Sequence, residues 1–167
     1  MRGGFLLLTV AAVMIAQQTP ASRYTDLVGY SVNIPSGWTL HSRKPSKAPG
    51  SCIDLTDPES GIAANICGKP HDTAARNIDH RLQSSIDEHI AGNSGATLRS
   101  GSVTSFQIGS RQAISAIFDY PNAAVEQITW VQSEATRLIF AIRLPEGGNI
   151  EKAQQRFKPI LNSLTMP

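Results

Sequence analysis

The sequence predicts an α+β fold in which an antiparallel β-sheet meander is flanked by helices, and three observations carry that expectation. The first is a block of three strand-like runs, 112–120, 125–133 and 137–144, each rich in Ile, Val, Phe, Trp, Tyr or Thr, the residue types that suit a pleated, half-buried surface. The second is the shortness of the joins, Pro121-Asn122-Ala123-Ala124 and Glu134-Ala135-Thr136. Such joins make antiparallel neighbours, because a parallel crossover needs roughly a dozen residues or more. The third is the patterning. In 137–144, Leu138, Phe140, Ile142 and Leu144 share one face, and Arg137, Ile139, Ala141 and Arg143 share the other. In 112–120, Ile114, Ala116, Phe118 and Tyr120 oppose Ala113, Ser115, Ile117 and Asp119. The middle run is apolar on both sides, with Ile128 and Trp130 against Val125 and Val131. A central strand covered on both faces calls for helices on both.

In chain order, residues 1–21 read as a signal peptide. Arg2 and the amino group form a short positive region, and residues 5–16 are an uncharged run of twelve, apolar except for Thr9. That run is short for a bilayer span and suits a signal-peptide core. Thr19-Pro20-Ala21 supplies a small-x-small site and places cleavage after Ala21, with cleavage after Ala16 as the alternative. No cysteine follows the run to carry a lipid, and no second segment is long enough to span a membrane. Residues 22–167 are expected to form a single exported domain, periplasmic or secreted. Hydrophobic residues make up 41% of the 167-residue chain and charged residues 17%, an ordinary globular balance. The net charge of +2 is too small to argue for nucleic acid or an anionic membrane. Nor are basic and aromatic residues interleaved as in single-strand binders.

Tyr30, Val32 and Ile34 alternate with Ser31 and Asn33, which predicts a half-buried strand. Pro35 ends it, Ser36-Gly37 turns, and Trp38-Thr39-Leu40 begins a second strand. Residues 43–50 are basic and proline-rich and read as an exposed loop. The two cysteines flank the turn Asp57-Pro58-Glu59-Ser60-Gly61, with proline early and glycine late. If that hairpin pairs Asp57 with Ile62, Cys52 falls opposite Cys67, within disulfide reach. In an exported protein this pair is expected to oxidise, and closing such a loop contributes about 3 kcal/mol. Residues 72–91 form a helix with Asp72 or Thr73 as N-cap, an apolar stripe of Ile78, Leu82, Ile86 and Ile90, and a stop at Gly92 and Asn93. Residues 95–106 follow as a polar strand or a pair of short strands, anchored by Val103 and Phe106. After the meander, Asn149 caps a last helix over 150–164, with Ala153, Phe157, Ile160, Leu161 and Leu164 on one face and Pro159 as a kink.

The stretch Gly29-Tyr30-Ser31-Val32-Asn33-Ile34-Pro35-Ser36-Gly37-Trp38 resembles the opening strand and Pro-Ser-x-Trp turn of PsbP-like proteins. Ile108-Gly109-Ser110-Arg111-Gln112-Ala113 is similar to that superfamily's Gly-x-x-Ala turn into the meander. Phe157-Lys158-Pro159-Ile160-Leu161-Asn162-Ser163-Leu164 is similar to its closing Phe-x-x-Ile-x-x-Ser-Leu helix. The element order agrees over roughly residues 24–165. The resemblance implies an α/β/α sandwich with binding and accessory roles rather than catalysis: stabilising a cofactor-bearing subunit, chaperoning a partner, or handling lipids and small molecules. It transfers no binding residue, and the cysteine hairpin does not map onto the family pattern.

Chemistry-bearing clusters are sparse. His41, His71, His80 and His89 read as exposed polar residues, and His80 and His89 fall on different faces of one helix. Asp54, Asp57 and Glu59 could gather at the hairpin turn to hold a hard cation, but the glycine and ligand spacing of a calcium loop is missing. There is no Gly-x-Ser-x-Gly elbow, P-loop or Gly-x-Gly-x-x-Gly, so no catalytic residue, metal or cofactor is assigned. Trp38 and Trp130 read as core. A rival reading makes Trp38, with Arg43, Lys44 and Lys47, the edge of a binding surface. The expected function is a non-enzymatic exported accessory protein that binds another protein, an immunity or inhibitor protein against an exported toxin being one case. The alternative is a carrier of a lipid or apolar small molecule, which needs a cavity between sheet and helix.

Overall fold

The computed structural model describes residues 20–42, 51–70, 78–133 and 136–166. It opens with a two-stranded ribbon in which β1 (Pro20–Thr25) pairs antiparallel with β2 (Ser31–Pro35). Between them Gly29 donates to the Asp26 carbonyl at 3.0 Å and takes a φ of 95°, a conformation a side chain would resist. The sequence predicts only a lead-in over 22–27, so β1 is an addition. Cleavage after Ala21 takes its first two residues, and cleavage after Ala16 leaves it whole. The signal-peptide core, the basic loop with Arg43, Lys44 and Lys47, and His71 with the caps Asp72 and Thr73 lie outside the described residues.

The main sheet follows. β3 (Thr39–Ser42) leads to the hairpin of β4 (Ser51–Asp57) and β5 (Ile62–Pro70). After α1 (Ile78–Gly92) come the short β6 (Thr97–Leu98) and β7 (Thr104–Ile108). The meander is β8 (Arg111–Asp119), β9 (Val125–Gln132) and β10 (Thr136–Leu144), and α2 (Ile150–Asn162) closes the described chain. The spatial order is β3-β4-β5-β10-β9-β8-β6, with β7 beside β6 on the same outer edge of β8. The meander thus lies inside the sheet, as its two-sided apolar pattern requires. The hairpin register pairs Asp57 with Ile62 and Cys52 with Cys67, and the two cysteines are joined in a disulfide.

Each face of the sheet carries a core. On one, Leu138, Phe140, Ile142 and Leu144 of β10 pack beneath Ala153, Phe157 and Ile160 of α2, and Tyr30, Val32 and Ile34 of β2 complete the cover. On the other, Leu82 and Ile86 of α1 pack on Phe118, Ile128 and Trp130. Full burial of such side chains contributes about 1.5–3 kcal/mol each, which is why the two periodic stripes select opposite faces. The ribbon is clasped to the C-terminus by Ser31 and Thr165, which exchange both main-chain hydrogen bonds at 2.9 Å.

Three expectations are corrected. Val103 and Phe106 are 39% and 37% exposed and so are not core anchors; Ile108, 8% exposed, is the buried residue of β7. Ile90 is 38% exposed, so the buried part of the α1 stripe among the described side chains is Leu82 and Ile86. The last helix ends at Asn162 rather than at 164, with Ser163 as C-cap, while Asn149 caps the start as expected by accepting from the Lys152 N–H at 2.8 Å.

Candidate functional site

α2 turns two stripes in two directions. Ala153, Phe157 and Ile160 face the core. Beside them run Glu151, Gln154, Gln155, Lys158, Leu161 and Asn162, spacings that also share one side of a 3.6-residue helix. This second stripe looks across at Phe106, Gln107 and Ile108 of β7, Gln127 of β9 and Ile142 of β10. Between them lies a cleft of about 680 Å³, a size typical of small-molecule sites. Four neutral amide residues line it from this face, Gln127, Gln154, Gln155 and Asn162, while Gln107 alternates to the opposite face of β7, in register with Gln112. Its two charged residues, Glu151 and Lys158, have opposite signs. Ile108, Ile142 and Leu161 supply apolar contact, and Phe106 adds an aromatic ring.

A polar network lies on the same face of the sheet. Ser115 stands opposite Thr129 in the β8–β9 register, and both are buried. The Ser115 hydroxyl donates to the Ile128 carbonyl at 3.2 Å and accepts from Gln127 Nε2 at 2.7 Å and Thr129 Oγ1 at 3.2 Å. The Gln127 amide is thereby held by its nitrogen, and its buried Oε1 has no hydrogen-bond partner. Leaving a buried acceptor unpaired costs about 1–3 kcal/mol.

No protein-family model matches the chain, and no curated protein does. Solved structures do. The solution structure of cyanobacterial PsbP (CyanoP) from Synechocystis sp. PCC 6803 is similar with a TM-score of 0.61, covering 96% of this chain and 99% of that one at 12% identity. The fold is PsbP-like. A crystal structure from Bacteroides thetaiotaomicron VPI-5482 is similar with a TM-score of 0.53, also at 12% identity, covering 89% of this chain and 49% of that one. This chain therefore spans about half the length of the Bacteroides protein. At such identities the likeness is one of fold, so the site has to be read from this chain's own residues.

Within the PsbP-like fold the residues singled out by sequence scatter. Trp38 is half-buried and its ring lies 6.2 Å from that of Phe157, so it helps to seat α2. The basic residues that the binding-surface reading places beside it lie outside the described residues. The carboxylates considered for a cation are otherwise engaged. Arg156 donates to Asp57 Oδ2 from Nε at 2.8 Å and to Glu59 Oε2 from Nη2 at 2.9 Å, while Asp54 accepts from Asn65 Nδ2 at 2.8 Å. Burial pushes the Asp57 carboxyl up, but hydrogen bonds from Ser60 and Arg156 outweigh it and hold the group below its ordinary value. Asp57 and Glu59 thus clamp the β4–β5 turn to α2. Among the described residues no group of three or more His, Cys, Asp or Glu could hold a metal ion.

His89 corrects the expectation of exposed histidines. Its ring packs 4.4 Å from Phe118 and 6.2 Å from Trp130. Asn93 Nδ2 lies 3.2 Å from its Nδ1 and acts as donor there, which puts the imidazole proton on Nε2. Nε2 then donates to the Tyr120 hydroxyl at 3.1 Å, and that hydroxyl donates to Glu126 Oε2 at 2.6 Å. Burial lowers the His89 pKa, against the opposing pull of Glu126. Burial and then Glu126 raise that of Tyr120. The chain of bonds pins the end of α1 to the β8–β9 hairpin with a neutral histidine. Sequence reasoning misses it because Glu88-His89 reads as an ordinary polar pair. The cleft amides are missed for a similar reason, since a polar helical stripe reads as a solvated face. Gln127, set among apolar and β-branched residues in β9, is the one signal that was available.

Proposed function

We propose that this chain is an exported accessory protein that acts by binding rather than by catalysis, and that the cleft beside α2 is its ligand site. The observation that supports the reading is the cleft: about 680 Å³ between helix and sheet, with apolar contacts and convergent amides. The PsbP-like fold and a lining without a nucleophile beside a base support binding over chemistry. The disulfide and the N-terminal apolar run support an oxidising, exported setting. Among the described residues no helix is long and apolar enough to cross a membrane.

The protein-partner reading, with an immunity or inhibitor role as its special case, is favoured by a different observation. Among the described residues the outer edge of β7 pairs with no strand, and Phe106 stands exposed on it. Such an edge is open to an added strand from a partner. Native mass spectrometry of the protein, purified gently from periplasm or medium, separates the two. A co-purifying molecule of small mass is the expected result. A co-purifying protein, with no small molecule retained, replaces the ligand reading with the partner reading.

A further inference from the structure

We propose that the cleft binds a neutral, polyhydroxylated ligand, a saccharide of two or three rings; this rests on the ligand-site reading above. Charge argues first. Glu151 and Lys158 share the lining with opposite signs, so neither an anion nor a cation is selected. Among neutral ligands, a lipid tail asks for a wall of apolar groups, whereas this wall presents four amides. Each amide carries two donor hydrogens beside an acceptor oxygen, and each sugar hydroxyl both donates and accepts. Adjacent hydroxyls on a ring therefore satisfy amides pairwise, which a hydrocarbon cannot do.

One further feature points the same way. Phe106 keeps an aromatic ring 37% exposed at the cleft, on an edge strand, and the C–H face of a pyranose is a surface that buries such a ring without desolvating hydroxyls. The cleft also has room for more than one ring and is open on one side, which suits a short oligomer or the end of a longer one.

The test is a titration of isotope-labelled mature protein, followed by NMR, with maltose, cellobiose, diacetylchitobiose and their trisaccharides. Saturable shifts are expected at the side-chain amides of Gln127, Gln154 and Gln155 and in the backbone of 106–108. The double variant Gln154→Ala/Gln155→Ala, on a helix face outside the core, should bind about tenfold more weakly, the worth of one or two hydrogen bonds. Phe106→Ala, on β7, tests the ring without touching α2. Silence from every saccharide, or binding unchanged in both variants, overturns the proposal. Decanoate and tri-alanine are titrated in parallel. If either perturbs the cleft while the sugars do not, the ligand class is wrong and the site stands. If none of the three does, the site reading falls as well.

Discussion

The two halves of the sheet face beneath α2 make opposite use of one helix. Over β5 and β10 the helix sits down: Phe157 is 1% exposed, with Phe140 and Trp38 each 6.2 Å away ring to ring. Over β7 and β9, from Ile142 of β10 outward, it stands off, and the space is a cleft lined by amides. The same backbone serves both, because residues at i, i+4 and i+7 present one chemistry and their neighbours around the helix present another. The β1–β2 ribbon adds to the contrast, since Tyr30, Val32 and Ile34 thicken only the closed half. A helix held firmly along one stripe can leave the adjacent stripe free without losing its place, and that is the arrangement of a preformed site.

The closed half is where substitution should cost most. Phe157→Ala removes a buried ring at the centre of the packing and should lower unfolding free energy by about 3–5 kcal/mol in a urea titration. A loss below about 1 kcal/mol would show that α2 is not held by that stripe. Next is Arg156→Ala, which strips the buried Asp57 carboxylate of its cation and should cost about 2 kcal/mol. Because the folded pKa of Asp57 lies below the ordinary 3.8, its contribution is complete above pH 3.8 and is lost as pH falls through the folded value. The acid limb of a stability–pH curve should therefore flatten in this variant.

The α1 face supplies a smaller, opposite-facing control. The His89 pKa lies below the ordinary 6.5, so the unfolded chain takes up the proton first. Stability from the neutral ring is whole above pH 6.5 and erodes as pH drops from there toward the folded value. His89→Gln should remove that slope in thermal melts between pH 7 and 5 (about the span of a histidine titration) while leaving the Asp57 limb in place. A slope that survives the substitution assigns it to another group. The smallest effect belongs to the open half. Gln155→Ala should leave stability within about 0.5 kcal/mol, and a larger loss would mean that the second stripe of α2 is structural.

Legibility followed the range of the interaction. The hairpin register that opposes Cys52 and Cys67 follows from one turn and a count of residues, and the structure has it so. The two faces of β10 follow from period-two alternation. Phe106 and Val103 misled because strand-compatible apolar residues near an edge look the same as core anchors until the cover is known. His89 and Arg156 were unreadable because their partners arrive from other elements: Phe118 and Trp130 for one, Asp57 and Glu59 for the other.

By itself the sequence determined the meander, the disulfide hairpin, two amphipathic helices and their allocation to opposite faces, because periods of two and 3.6, turn chemistry and burial of apolar stripes are local properties. Tertiary structure alone decided where α2 stops covering the sheet, and hence that Gln127, Gln154, Gln155 and Asn162 converge on one space. The physical reason is that polar side chains at helical or strand spacing are equally stable against water and against a cleft. Only the approach of β7 and β9 to the second stripe of α2, residues distant in the chain, distinguishes the two.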